Sequence, residues 1–159
     1  FVTWSRLHSE KRIDLIVEAF CDLDERLIVA GDGEERERLE ALATGHENIE
    51  IRGYVGDIES LVAKATAVVY APIQEDCGLV GAEAMMAGKP LLGVNEGYTT
   101  YQVETGSTGL TFDPTVESLR RAVEEFDPTE FDAETIQQYA EQYRFETFAE
   151  ELREIVFDK

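Results

Sequence analysis

Short apolar runs alternate with amphipathic segments along this chain of 159 residues, and this alternation is its most constraining feature. Runs such as 67–71 and 91–94 have the length of buried strands, whereas 13–20 repeats its apolar residues at helical spacing. The connections between these segments are short. Such alternation is typical of a doubly wound parallel sheet flanked by helices. We therefore predict an α/β fold on a Rossmann-like parallel sheet of about six strands.

The same pattern predicts where the elements lie. Strands are expected at 1–4, 26–30, 49–52, 67–71, 91–94 and 109–112. Helices are expected at 13–20, 34–43, 58–65, within 75–90, and at 116–126, 133–143 and 146–157. Gly88, followed by Pro90, predicts the end of the fourth helix. We expect one domain over 1–159, with a C-terminal helical extension over about 132–159.

Composition narrows the class of protein. At 43% hydrophobic residues the chain is globular, and no apolar run approaches the ~18 residues that span a bilayer. The start has no basic region followed by an apolar one, and two cysteines make no disulfide framework, so a reduced cytoplasmic setting is expected. The first residue is Phe1, inside a predicted strand. We therefore expect the chain to be a fragment or an excised domain.

The charge balance argues against two classes of partner. The chain carries 34 acidic and 14 basic residues, a net charge of −20 spread along its length. Such a charge disfavours nucleic acids and anionic membranes as partners. We interpret it as a solvated surface, consistent with a halophilic protein in a salt-rich cytosol, since the Debye length is only ~3 Å at about 1 M salt.

The predicted sheet fixes which loops can carry a site. In open parallel sheets, ligands bind outside the carboxyl ends of the strands. The loops at that edge are 5–11, 31–33, 53–55, 72–78 and 95–98. They contain five glycines, which allow close backbone approach to a ligand or serve as plain turns: Gly31, Gly33, Gly53, Gly78 and Gly97.

Three familiar kinds of site are disfavoured. The segment from Gly31 to Arg36 follows a strand and opens a helix, but it reads G-x-G-x-x-R and lacks the third glycine of a dinucleotide fingerprint. This segment also follows the second predicted strand, whereas the dinucleotide fingerprint follows the first strand of its sheet. No P-loop motif is present. His8 and His46 are far apart without cysteine partners at ligand spacing, so no metal site is expected.

The stretch E-D-C-G-L-V-G-A-E at 75–83 carries the strongest functional signal. Its E-x7-E spacing alone is uninformative, because several other glutamate pairs share it, among them Glu10/Glu18, Glu117/Glu125 and Glu146/Glu154. Here, however, Gly78, Leu79 and Val80 offer backbone N–H groups at a helix start, which binds anions. Glu75 ends the preceding loop, and Glu83 can reach hydroxyls. The combination suggests a pyrophosphate between two sugars.

Two cations lie in the loop after the first predicted strand. Arg6 can fork two phosphate oxygens, and Lys11 supplies a point charge. Each could equally be a surface ion-pair partner for the many acids, and that alternative stays open at this point.

Four motifs in order carry a resemblance to a known family. S-R-L-H-S-E-K-R at 5–12, V-A-G-D-G-E-E-R at 29–36, I-R-G-Y-V at 51–55 and the stretch at 75–90 resemble the C-terminal, donor-binding domain of retaining GT-B glycosyltransferases of family 4. That family includes many mannosyltransferases, and V-N-E-G at 94–97 is similar to mannosyltransferase-type members. The resemblance spans Phe1 to about Phe126.

The resemblance implies roles for individual residues. Arg6 and Lys11 would hold the donor pyrophosphate, and Glu75 would lie by the donor sugar and its reacting carbon. Glu83 would bind the ribose. The backbone of Gly78, Leu79 and Val80 would meet the phosphates and sugar, the loop Gly53, Tyr54 and Val55 would line the nucleobase, and Gly31 and Gly33 would complete the donor site.

The resemblance also implies the reaction. A hexose such as mannose would pass from a GDP- or UDP-linked sugar to a glycan or lipid-linked acceptor, with retention and with no metal or other cofactor. The acceptor domain would lie in a missing N-terminal half, through which any peripheral membrane contact would occur. The fragment alone would bind a nucleoside diphosphate weakly and transfer no sugar.

Departures from the family pattern leave the sugar open. Asp76-Cys77 stands where Gly-Phe is common, Gly97-Tyr98 where Gly-Gly is usual, and Ser5 where Gly is common. A glutamate usual after the fifth strand is replaced near Tyr101. Two alternatives remain: another GT-B enzyme, such as a nucleotide-sugar epimerase or a phosphorylase, and a non-catalytic Rossmann-like interaction domain.

Overall fold

One parallel sheet of six strands organises residues 1–157, which a computed structural model describes. The strands are β1 (Val2–Trp4), β2 (Leu27–Ala30), β3 (Ile49–Gly53), β4 (Val68–Tyr70), β5 (Leu91–Val94) and β6 (Gly109–Phe112). Their order across the sheet is β3-β2-β1-β4-β5-β6. This is the doubly wound order, so the predicted fold class is confirmed.

Helices connect the strands and cover the sheet. They are α1 (Ile13–Phe20), α2 (Arg36–Leu42), α3 (Ile58–Ala63), α4 (Leu79–Met86), α5 (Thr99–Gln102), α6 (Val116–Glu124), α7 (Ala133–Ala140) and α8 (Phe145–Phe157). Short 3-10 helices lie at Ser9–Lys11, Pro128–Glu130 and Glu141–Tyr143. Asp57, Thr115 and Asp132 cap the N-termini of α3, α6 and α7 through their side-chain oxygens.

The sheet reverses its strand order at β1. This strand pairs with β2 on one side, Val2 opposite Ile28, and with β4 on the other, Val2 opposite Val68. The chain after β1 leaves towards one face of the sheet and the chain after β4 towards the other, so a crevice opens between the two loops at the carboxyl edge. The loop after β1 and the loop after β4 therefore meet there.

Two apolar layers hold the helices against the sheet. On one face α1 and α6 pack on the strands, with Ile16, Phe20 and Leu119 fully buried. On the other face α3 and α4 pack through Leu61, Val62 and Ala84. A third cluster joins α7 to α4, because Ile136 and Ala140 bury Met85 completely.

All of the predicted strands and helices are present, with ends that differ by a few residues. The helix expected at 34–43 is Arg36–Leu42, and the one expected at 133–143 ends at Ala140 before a 3-10 turn. Helix α5 has no counterpart among the predicted elements. Its four residues include buried Thr99 and Gln102, so the segment carries no apolar period that could have indicated a helix.

The last helix presents an apolar face to solvent within the described residues. Helix α8 buries none of its residues, although Phe145, Phe148 and Ile155 are large and apolar. The helix predicted over 146–157 is α8, Phe145–Phe157, in the structure. Residues 158–159 of the expected C-terminal extension lie outside the described part. Within residues 1–157, no helix is long and apolar enough to cross a membrane.

Asn48 closes the turn between α1 and β2. Its amide nitrogen donates to the carbonyls of Phe20, Leu23 and Glu25 at 2.9, 3.0 and 3.1 Å. The backbone carbonyl of Asn48 accepts from the backbone N–H of Leu27 at 2.9 Å. One side chain thus satisfies backbone groups that would otherwise be left without partners in a partly buried loop.

We expect Asn48→Ala to lower the free energy of unfolding by about 1–3 kcal/mol, because it strips the donor from these carbonyls. Glu47→Ala, at the exposed neighbouring position, should change it by less than about 0.5 kcal/mol. Urea denaturation of both variants measures the difference. Equal stabilities for the two variants would contradict the assigned role of Asn48.

Candidate functional site

An ion pair joins the loops that follow β1 and β4. The 3-10 helix Ser9–Lys11 places Lys11 so that its Nζ lies 3.0 Å from Oε2 of Glu75. The Tyr70 hydroxyl, at the end of β4, donates to the same carboxylate oxygen. The side chains of Lys11 and Glu75 are only 22% and 16% exposed, so solvent screens their attraction weakly.

The environment of Glu75 favours its ionised form. Burial acts to raise the pKa of this carboxyl, but hydrogen bonds from Tyr70 and Lys11, the charge of Lys11 and the backbone N–H of Gly78 lower it to about 2. Burial and the neighbouring Glu75 carboxylate raise the pKa of Tyr70. Near neutral pH the site therefore holds a carboxylate, and Tyr70 remains a neutral donor.

Backbone hydrogen bonds hold three loops together around this pair. The N–H of Ile73 donates to the carbonyl of Glu10 at 2.8 Å, which joins the loops after β4 and β1. The N–H of Tyr98 donates to the carbonyl of Glu75 at 2.7 Å, which adds the loop after β5. Glu75 is thus fixed through its backbone as well as through its side chain.

Helix α4 begins beside Glu75 with a glycine. Gly78 has the left-handed conformation, φ 67° and ψ 46°, and within the described chain no side chain caps this helix start. The amide of Gln102 donates to the carbonyls of Cys77 and Gly78 at 3.2 and 2.9 Å. The fully buried Gln102 therefore sets the direction in which the first N–H groups of α4 point.

A cleft of about 470 Å³ opens at the same edge, between the ends of β1, β2 and β3. Arg6, Gly31, Tyr54, Val55 and Glu83 all line it, so the structure brings these predicted site residues together. The remaining lining residues are Trp4, Ser5, Ala30, Asp32, Gly56 and Ile58.

Two side chains in the cleft have distinctive surroundings. Trp4 donates from Nε1 to Oε2 of Glu83 at 3.2 Å, which orients this carboxylate at the first turns of α4. Tyr54 is 83% exposed and presents its ring to solvent at the cleft mouth. Sequence reasoning missed Trp4, because the strand pattern alone explains an apolar residue at that position.

Not every predicted residue lines the cleft. Gly33 and Gly53 are not among its lining residues, but each contacts one that is: Gly33 donates its N–H to the Asp32 carboxylate, and Gly53 accepts from the N–H of Gly31 at 2.7 Å. Leu79 lies apart from the cleft, in a depression of about 650 Å³ that also contains Cys77 and Tyr98.

The two candidate cations differ in their surroundings. Arg6 is exposed and takes part in none of the ion pairs among residues 1–157, so the surface ion-pair alternative does not describe it. Lys11 does have an acidic partner, but that partner is Glu75 at the site. Among these residues no group of three or more His, Cys, Asp or Glu could hold a metal ion.

Comparison with known proteins adds independent findings. Residues 1–143 match the family model described as glycosyl transferases group 1. The chain is 31% identical over 121 residues to the GDP-mannose-dependent alpha-(1-6)-phosphatidylinositol dimannoside mannosyltransferase of Mycobacterium tuberculosis, a match covering 73% of this chain and 31% of that enzyme. It is 32% identical over 101 residues to the alpha-1,3/1,6-mannosyltransferase ALG2 of Dictyostelium discoideum, covering 60% of this chain and 24% of that one.

A solved structure superposes closely on this chain. Alr3699/HepE of Anabaena, in complex with UDP, superposes with a TM-score of 0.82 at 26% identity. The superposition covers 100% of this chain and 49% of that one. The chain thus spans about half of this structure and about a third or less of the curated relatives it matches.

The depressed pKa of Glu75 links stability to pH. A carboxyl whose pKa is about 2 in the folded chain and 4.5 when unperturbed stabilises the fold above pH 4.5. This contribution falls as pH drops towards 2. Between pH 7 and pH 3 the loss is about 2 kcal/mol.

We therefore expect acidification from pH 7 to pH 3 to destabilise the wild-type chain by about 2 kcal/mol more than it destabilises Glu75→Gln. The variant lacks the titrating group but keeps its size. Denaturant unfolding at both pH values gives the comparison, with Glu18→Gln, at an exposed position, as the control. Parallel losses in all three proteins would show that Glu75 is not held in its ionised form.

Proposed function

The chain belongs to the glycosyl transferases of group 1, a GT-B family, and we propose that it is the donor-binding part of a retaining hexosyltransferase. The proposed reaction moves a hexose from a nucleoside-diphosphate sugar to a glycan or lipid-linked acceptor. One observation carries this proposal: the cleft lined by Arg6, Tyr54 and Glu83 lies at the same sheet edge as the Lys11–Glu75 pair and the start of α4.

The cleft suits a nucleoside. In the proposal the base lies against Tyr54 and Val55, where an exposed aromatic ring and an apolar side chain offer stacking and contact. Glu83 binds the ribose hydroxyls through its carboxylate, which Trp4 holds in place. Gly31 allows the nucleoside to approach the sheet edge closely, and Gly33 and Gly53 support the loops behind it.

The diphosphate needs local positive charge in a chain of net charge −20. Arg6 can donate two parallel hydrogen bonds to phosphate oxygens, and Lys11 adds a second cation. The N–H groups of Leu79 and Val80, directed by Gly78, add the positive end of a helix. Together these groups stabilise the charge that develops on the departing nucleoside diphosphate. In this scheme they fill the role that a metal ion has elsewhere.

Glu75 acts on the sugar side of the bond that breaks between the donor sugar and the nucleoside diphosphate. A carboxylate held ionised by Lys11 and Tyr70 can orient the donor sugar and stabilise positive character at its anomeric carbon. Glu75 has this electrostatic role in the proposed reaction and no covalent one.

Mannose is the proposed hexose, because both curated relatives above are named mannosyltransferases. The base is guanine or uracil: one relative is named as GDP-mannose-dependent, and the solved Anabaena structure holds UDP. The acceptor, a glycan or a lipid-linked glycan, would bind through the part of the enzyme outside this chain. We propose the cytoplasm as its location, at or near the inner face of the membrane. High acidity suits a salt-rich cytosol there.

Calorimetric titration with GDP, UDP, GDP-mannose and UDP-glucose tests the donor site, at low salt and at about 2 M potassium chloride. We expect binding of one nucleotide class. Arg6→Ala and Glu83→Ala should each weaken it by about 1.5–3 kcal/mol, because each removes a charge-assisted hydrogen bond.

Arg26→Ala is the matched control. Arg26 is an exposed arginine paired with Glu50, outside the residues that line the cleft, and its removal should leave nucleotide affinity unchanged. A folded wild-type chain that binds none of the four ligands at either salt concentration would overturn the donor-site proposal. It would favour a non-catalytic interaction domain. Binding of nucleotide without sugar transfer by the whole enzyme would point instead to an epimerase or phosphorylase.

A further inference from the structure

Two strained residues flank the Lys11–Glu75 pair. Arg12 and Gln74 are the residues other than glycine, within 1–157, that have positive φ, 47° and 45°. Arg12 directly follows Lys11, and Gln74 directly precedes Glu75. Residues with a Cβ disfavour the left-handed conformation, so something must hold both segments in place.

The side chains of both strained residues donate hydrogen bonds to one carboxylate, that of Glu96. Arg12 donates from a guanidinium nitrogen to Oε2 of Glu96 at 2.5 Å, and the amide of Gln74 donates to Oε1 of the same group at 2.9 Å. The side chains of Arg12 and Glu96 are only 20% and 19% exposed. Hydrogen bonds from Arg12 and Gln74 lower the pKa of Glu96, so it is ionised when it makes these contacts.

We propose that Glu96 is a positioning residue for the donor site. It holds Arg12 and Gln74 in their left-handed conformations and thereby sets the positions of Lys11 and Glu75. The inference rests on the proposed function for its consequence, donor binding, and on the contacts of Glu96 for its geometry.

The residues after Glu96 restrain the same segment. A Cβ on Gly97, which has φ 59°, would lie 2.6 Å from the backbone nitrogen of Glu75, so only glycine lets the two loops approach this closely. The next residue, Tyr98, donates its N–H to the carbonyl of Glu75. Glu96 adds a link that these backbone contacts lack, because through Arg12 it also reaches the segment that carries Lys11.

The consequence is a coupled movement of two side chains. Without Glu96, the conformational preference of Arg12 and Gln74 favours relaxation away from positive φ. Lys11 and Glu75 would then lose their close approach, and a diphosphate would lose a cation already placed for it. A residue with a merely supporting role would change stability without changing the ionisation of Glu75.

A ligand-free measurement tests the geometry. Carboxyl ¹³C chemical shifts of Glu75 are followed from pH 7 to pH 3 in the wild type and in Glu96→Gln. This variant leaves unchanged other ionisable side chains of this region, among them Lys11, Tyr70, Cys77 and Glu83. We expect the midpoint of Glu75 to rise towards its ordinary value of 4.5 in Glu96→Gln, because Lys11 has moved away.

Glu50→Gln is the matched control. Glu50 is likewise a carboxylate that accepts from two side chains, Arg26 and Arg52, and its substitution removes the same charge. It should leave the titration of Glu75 unchanged. Gln74→Ala is a second and milder variant, because it keeps the Arg12–Glu96 pair. We expect it to shift the titration midpoint of Glu75 in the same direction as Glu96→Gln does, but by less. If Glu75 titrates as in the wild type in both Glu96→Gln and Gln74→Ala, the inference is wrong.

A binding measurement tests the consequence. We expect Glu96→Gln to weaken GDP or UDP binding about tenfold in the wild-type background. In a Lys11→Ala background it should weaken binding less than about twofold, because the effect acts through Lys11. An equal loss in both backgrounds would contradict the inference. A wild type that binds neither nucleotide would contradict the proposed function alone, since the titration of Glu75 still decides the role of Glu96.

Discussion

The Lys11–Glu75 ion pair joins the loops after β1 and β4, the two neighbouring strands at which the sheet reverses its order. A largely buried ion pair carries a desolvation cost, which good geometry and further hydrogen bonds must offset. Tyr70 and the backbone of Gly78 supply those contacts to Glu75. The pair therefore depends on a fold that brings positions 11 and 75 together at the switch point.

Backbone geometry lets the loops crowd around this pair. Gly78 starts α4 in a left-handed conformation, and Gly97 leaves room for the backbone of Glu75. Gln102 and Glu96 contact different parts of these loops: Gln102 binds the carbonyls before α4, and Glu96 binds the strained neighbours of the ion pair. The site is thus held mainly by polar contacts between loops, whereas the apolar layers hold the sheet and helices.

The sequence was sufficient for the sheet but not for the contacts between its loops. Strands such as β4 and β5 were predictable because buried parallel strands are short continuous apolar runs. The candidate residues Arg6 and Glu75 were predictable because carboxyl-end loops are where such sheets bind ligands. Glu83 was predictable because it lies in the helix that begins directly after such a loop. Helix α5 and buried Gln102 were not, because they have no apolar period. The Arg12–Glu96 contact was not predictable either, since local patterns carry no information about residues 84 positions apart.

We expect nucleotide to bind at the carboxyl edge of the sheet, in the cleft lined by the loops after β1, β2 and β3 and by Glu83 of α4. Backbone amide NMR of the chain, titrated with GDP and with UDP, tests it most directly. We expect the largest chemical-shift changes at Leu79, Val80 and the cleft residues Arg6, Gly31 and Val55, with small changes along α8. Changes concentrated on α7 and α8, or none at saturating nucleotide in a folded sample, would contradict it.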